Sequence, residues 1–206
     1  LRQMTGQAEF NEIYLTDAKV WEADRLGDIG DGWRVVLTTL MNERVAIGGG
    51  TRDAGKTAMD WILEAWNAHG HDDPARRDDM MKLWVRSEVL RLNNLRAEEA
   101  LTTGTPGPEG SIGKVISAEF NKDAFAFALG LTGMAGTLYD GGYDLDQTRP
   151  VLDYDTLAEY FLRVRANSIE GGTTEVMRNI IGERVLGLPG DVRVDKEIAW
   201  KDVARN

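Results

Sequence analysis

The sequence predicts a mainly α-helical fold, an up-down four-helix bundle preceded by a short β remnant. Three observations carry that reading. From about Gly30 onward, Trp33, Val36, Leu37, Leu40, Met41 and Val45 recur at helical spacing and form one face of an amphipathic helix. After Asp72-Asp73-Pro74 the same period returns with Met80, Leu83, Trp84, Leu90 and Leu95. It returns again from about Ser111 through Phe120 and Phe127 to Leu131. Long helices joined by short connections pack antiparallel, as in a bundle.

The elements follow in order. Residues 8–20 (AEFNEIYLTDAKV) alternate apolar and polar side chains, with Phe10, Ile13, Leu15 and Val20 marking a short strand pair or its edge. The chain opens on Leu1 in mid-pattern, as a fragment of a longer protein would. In the first helical stretch, Gly48-Gly49-Gly50 costs a helix interior roughly 1 kcal/mol per glycine. Either the helix breaks there, or close packing requires the glycines. At Asp72-Asp73-Pro74 an aspartate can cap a new helix whose first turn tolerates proline. Residues 102–110 (TTGTPGPEG) read as a loop. The third helix ends at a turn bearing Gly133 and Gly136, and residues 139–150 (YDGGYDLDQTRP) read as an irregular excursion. Two shorter helices, about 155–167 and 174–186, complete the fold. The expected organisation is a β remnant over 1–24, a helical bundle over 25–190 and a charged tail over 191–206.

Composition narrows the function. The net charge is −10, from 34 acidic and 24 basic residues, so the surface repels phosphate backbones and anionic lipid. Neither nucleic acid nor a membrane is an expected partner, although a local basic pocket can still hold an anionic coenzyme. Without cysteine there is no disulfide and no thiolate metal site. No apolar run approaches the ~20 residues that span a bilayer, and no signal peptide is visible. A cytoplasmic protein is expected.

The strongest motif is SIEGGTTEVMRNIIGERVLGLP, residues 168–189. It is a glycine turn opening directly into a helix. Thr173 can cap the free N–H groups, and the helix start favours an anion or a polar cofactor edge. Gly171 and Gly172 allow close backbone approach. On physics alone an ordinary capped helix start is the better explanation of the segment.

This segment resembles the C-terminal signature of the acyl-CoA dehydrogenases. The stretch MTGQAEFNEIYLTDAKV is similar to that family's exit from its middle β-domain, and GDGWRVVLTTLMNERVAIGG to the first helix of its C-terminal bundle. The three blocks stand in the family's order, closest to its actinobacterial branch. The resemblance implies α,β-dehydrogenation of an acyl-CoA thioester. A carboxylate removes the α-proton, FAD accepts the β-hydride, and electron-transfer flavoprotein takes up the electrons. It also implies packing of bundles into a homo- or hetero-oligomer such as a tetramer.

The family places its base either at the last glycine turn or on the first bundle helix. At the turn, the matching position is Gly171, which lacks a carboxylate, and Glu170 stands one residue earlier. On the helix, the matching position is Glu43, followed by Arg44. Glu43 is therefore the expected base, with Glu170 as the fallback and Arg44 on the substrate. A salt bridge is the competing role for Glu43. Gly133, Gly136, Gly171, Gly172, Thr173 and Glu175 are the expected cofactor contacts.

Two departures stand against full FAD binding by this chain. The family's Arg-x-x-Phe-Gly segment is missing from EAWNAHGHDDPARR (residues 64–77), and Gly130 replaces a glutamine that reaches the cofactor. Both suit a member of a mixed oligomer that contributes incompletely to a flavin site, a partner or scaffold role. Other signals are weaker. Ser111-Ile112-Gly113-Lys114 matches a Ser-x-x-Lys nucleophile pattern but reads as a helix start. His69 and His71 beside Asp72 and Asp73 could ligate a metal but read as a solvated corner. Trp33, Trp61, Trp66, Trp84 and the Phe120, Phe125, Phe127 group exceed what one packed layer needs, which points to a partner surface.

Overall fold

The computed structural model describes residues 1–8, 10–48, 56–69, 73–103, 110–138, 154, 156–190, 192 and 198–203, without the side chains of 41–48, 101, 103 and 200. Six α-helices lie among them. They are α1 (Gly32–Gly48), α2 (Ala58–His69), α3 (Pro74–Thr103), α4 (Gly110–Leu131), α5 (Leu157–Arg163) and α6 (Thr174–Ile180). Shorter helical turns cover Glu22–Asp24, Gly133–Thr137, Val164–Ser168, Ile181–Val185 and Trp200–Asp202. The mainly helical expectation holds. No helix among the described residues is long and apolar enough to cross a membrane.

Helix starts follow the local chemistry. The Asp73 carboxylate accepts from the Ala75 amide at 2.9 Å, so Asp73 caps α3 and Pro74 occupies its first position. At α2, the Asp60 carboxylate accepts from the Thr57 amide at 2.8 Å, and the Thr57 hydroxyl accepts from the Asp60 amide at 3.2 Å. At α5 the pair is Thr156 and Glu159, each side chain bonded to the other's amide at 3.2 Å. This capping box encloses a fully buried Glu159. The triple glycine coincides with the end of α1 at Gly48, and α2 begins at Ala58, so two helices stand where one interrupted period was read. Gly49 and Gly50, like the excursion at 139–150, lie outside the described residues.

The core forms around α4. Phe120, Ala124, Ala128 and Leu131 on this helix bury against Ile62 and Ala65 of α2 and Met80 and Leu83 of α3. A second face meets α5, α6 and Val164–Ser168. There Phe125 stacks on Tyr160 at 4.9 Å between ring centroids, and Tyr160 also meets Trp61 at 5.1 Å and Tyr154 at 5.5 Å. Helix α1 contacts α4 as well. The described packing therefore singles out one hub helix rather than four equivalent ones.

Two expectations need correction. No strand occurs among the described residues, including those of 8–20, and residues 10–20 are exposed. Alternation supplies suitable side chains, but a strand exists only against a partner ladder. Here Asp17 instead takes a left-handed φ of 50°. The phenylalanines are not surplus either: Phe120 and Phe125 are buried within the chain's own core. Among the tryptophans, Trp33 is 74% and Trp84 48% exposed, whereas Trp61 and Trp66 are partly buried.

Ile62 is fully buried between α2 and α4. Ile62→Ala should lower the free energy of unfolding by about 2–5 kcal/mol, and Ile62→Val by about 0.5–1.5 kcal/mol. Urea unfolding followed by circular dichroism checks both, and equal midpoints for the two variants would contradict the placement.

Candidate functional site

The glycine turn near the C-terminus is built from both sides. Helix α5 runs into Val164–Ser168, and the chain then passes Ile169 and Glu170 to two left-handed glycines, Gly171 at φ 62° and Gly172 at φ 100°. Thr173 follows in extended conformation, and its hydroxyl accepts from the Val176 amide at 3.2 Å, capping α6. Gly172 has no room for a side chain: a Cβ there would lie 2.6 Å from Cε of Met177, itself fully buried. The Thr174 hydroxyl is buried without a hydrogen-bond partner among the described residues.

Glu170 is held by three donors. Arg163 gives Nη1 to Oε1 at 3.1 Å and Nη2 to Oε2 at 2.9 Å, and Asn167 gives Nδ2 to Oε1 at 2.7 Å. Asn167 is fixed in turn by α4. Its Oδ1 accepts from Asn121 Nδ2 at 3.1 Å, and its carbonyl accepts from the Lys114 ammonium. Lys114 is buried, and loss of solvation lowers its proton affinity, an effect that the nearby Glu170 carboxylate opposes. The Ser-x-x-Lys pattern thus has its lysine engaged on a backbone carbonyl.

The expected site residues fall into separate groups. The backbone of α1 runs through Glu43 and Arg44, but their side chains lie outside the described residues. Gly171, Gly172, Thr173 and Glu175 form one turn and the first turn of α6, with Glu175 exposed. Gly133 (φ 59°) and Gly136 follow the end of α4. Gly133 has nothing within 4 Å of a built Cβ, whereas at Gly136 a Cβ would sit 2.6 Å from the Thr132 hydroxyl. The carbonyl of Gly130, the position of the missing glutamine, accepts weakly from Arg76 Nη1 at 3.5 Å. Asn121 and Lys114, which anchor the first group, precede Gly133 by 12 and 19 residues. At 1.5 Å per helical residue, Asn121 and Lys114 stand roughly 15–25 Å along α4 from its end at Leu131. His71 and Asp72 lie outside the described residues, and no metal-sized cluster of three ligands occurs among those that are described.

Sequence reasoning missed Arg163, Asn167, Asn121 and Lys114 as a network. Arg163 and Glu170 are seven apart across a change from α to tighter helix, a spacing with no recognised pattern.

A family model described as the C-terminal domain of acyl-CoA dehydrogenase matches residues 30–186. The chain belongs to the acyl-CoA dehydrogenase family. Acyl-CoA dehydrogenase IpdE1 of Mycobacterium tuberculosis is 32% identical over 193 residues, 93% of this chain and 47% of the relative. Its counterpart in Mycolicibacterium smegmatis is 30% identical, over 94% of this chain and 46% of that protein. The chain spans about half the length of these curated relatives. The solved ChsE4-ChsE5 complex from M. tuberculosis has a similar fold, with TM-score 0.61 and 24% identity over 87% of this chain and 46% of that one. The structure titled Tcur3481-Tcur3483 steroid ACAD aligns with TM-score 0.62 and 23% identity, over 80% and 42%. These two likenesses bear on fold alone. As an acyl-CoA dehydrogenase domain, the chain carries one glycine turn after α4, at Gly133 and Gly136, and another before α6, at Gly171 and Gly172.

Gly172→Ala should destabilise the domain by about 1–3 kcal/mol, through its positive φ and the Met177 contact. Gly187→Ala, also at positive φ (67°) but with nothing within 4 Å, should cost less. Thermal unfolding of the two variants side by side checks the order.

Proposed function

We propose that this chain is the C-terminal helical half of a flavin-dependent acyl-CoA dehydrogenase, with Glu43 as the base that removes the α-proton of an acyl-CoA thioester. The family match across 30–186, which spans both Glu43 and the 171–175 turn, is the observation that carries this reading. The thioester acidifies the α-proton, and a carboxylate among apolar residues has the proton affinity to accept it near neutral pH. Glu43 has Leu40, Met41 and Val45 as sequence neighbours. Arg44 is placed at the substrate.

The residues present fit a flavin on their own chemistry. Gly133 offers open backbone at a left-handed turn, and Gly171-Gly172, with Met177 packed against Gly172, leads into the capped start of α6. Gly133, Gly136, Gly171, Gly172, Thr173 and Glu175 would hold the group. FAD, when bound, supplies the hydride acceptor that no side chain provides. Electron-transfer flavoprotein is the proposed electron acceptor. The substrate class is an acyl-CoA thioester.

A second reading has its own support. Gly171 stands where the family's turn base would be, and one similar fold was solved as the ChsE4-ChsE5 complex. On this reading the chain belongs to a partner subunit of a heteromeric enzyme. Either reading places it in an oligomer, and exposed Trp33 and Trp84 supply apolar surface for the contact.

Glu43→Gln, in the full-length protein or its complex, should lower kcat by about 10²–10⁴-fold while the flavin absorbance and thermal midpoint stay unchanged. Wild-type rates in that variant would remove Glu43 from the mechanism. A purified wild-type protein lacking the yellow flavin bands would favour the partner-subunit reading.

A further inference from the structure

We infer that Glu170 is a positioning residue, clamped with Arg163 and Asn167 to hold the Gly171-Gly172 turn in its binding shape, rather than a proton acceptor. The inference rests on the proposed function, in that this turn is taken to lie against cofactor or substrate. A base needs a free lone pair aimed at the proton it removes. Glu170 has both oxygens engaged, Oε1 by Arg163 and Asn167 and Oε2 by Arg163, at 2.7–3.1 Å. The Arg163 pair is bidentate, the strongest class of charge-assisted hydrogen bond in proteins. Both partners are largely withdrawn from water, with side chains 16% and 26% exposed.

The chain needs an anchor at this point. Two consecutive left-handed glycines have the widest conformational freedom of any dipeptide, so nothing intrinsic holds the turn in one shape. On its far side Thr173 caps α6, and Met177 fills the space beneath Gly172. On its near side Glu170 directly precedes the glycines in the chain. Its clamp reaches α5 through Arg163, and reaches α4 through Asn167, Asn121 and Lys114. The turn is thereby referred to the hub helix.

The test uses full-length protein, or its complex, carrying Glu170→Gln, Arg163→Met, both together, or Arg163→Lys. Acyl-CoA turnover is followed against pH, with amide hydrogen exchange at residues 171–173. As a clamp, each of the first two changes should lower kcat/KM by about 10–100-fold. The acid limb of the pH profile should stay where it is in wild type. The double variant should be no worse than the worse single, and exchange at 171–173 should quicken in all of them. Arg163→Lys should recover part of the loss, and it replaces Arg163→Met in the comparison if that variant does not fold. The inference is overturned if Glu170→Gln alone removes the acid limb and most of kcat while Arg163→Met stays active. Unchanged exchange at 171–173 in every variant overturns it too. A wild-type protein without turnover would sink the proposed function instead, and exchange would still decide the clamp.

Discussion

Helix α4 buries two of its faces and leaves a narrow stripe at Asp123, Ala126 and Gly130 to solvent, and the rest of the domain follows from covering it. Ala118, Ala124 and Ala128 are buried on it, and small residues let neighbouring helices approach to the short end of the usual 8–10 Å between axes. Gly113 extends this toward α3, where a built Cβ would come within 3.5 Å of Asn93 and Asn94. One side is sealed by Ile62, Met80 and Leu83, the other by the Tyr160 ring cluster and the Asn167 network. The second side is polar near Lys114 and Asn121 and aromatic near Phe125. Polar groups withdrawn from water must find partners, and these do so on the segment that leads into the glycine turn. The hub therefore stabilises the fold and registers the candidate site through the same surface.

How much of this was readable in the sequence depended on the range of the interaction. Signals confined to four residues were legible: Asp73 before Pro74, Thr173 before α6, and the helical period from Ser111 to Leu131. Signals that needed a partner were not. The alternation over 8–20 describes a strand only when another strand supplies the ladder, and none does so among the described residues. Surplus aromatics were read as a partner surface, yet Phe120 and Phe125 are consumed inside the core because α4 is buried on two sides. Of Trp33, Trp61, Trp66 and Trp84, the first and last remain largely open. The Glu170 clamp was illegible for the same reason. Its donors come from α5, the Val164–Ser168 turn and, through Asn167, α4, which only the tertiary fold brings together.

The glycine turn also shows why a single-residue shift matters. A carboxylate at 171 would stand between two conformationally free positions, able to face a ligand. At 170 it stands beside the end of α5, within reach of Arg163. Register alone converts a candidate base into a candidate anchor. The remaining carboxylate of interest, Glu43, belongs to a different helix, so turn and base need not come from adjacent chain.

The two glycine turns constrain the assembly more tightly than either does separately. One is tied through Asn167 to Lys114 and Asn121, and the other follows Leu131, roughly 15–25 Å further along α4 from those two residues. If both touch cofactor, as the family resemblance implies, then either one extended dinucleotide runs the length of the helix or each turn serves a different molecule. The first arrangement would run along Asp123, Ala126 and Gly130, the stripe of α4 that stays exposed, and the second needs a further chain to complete each half-site.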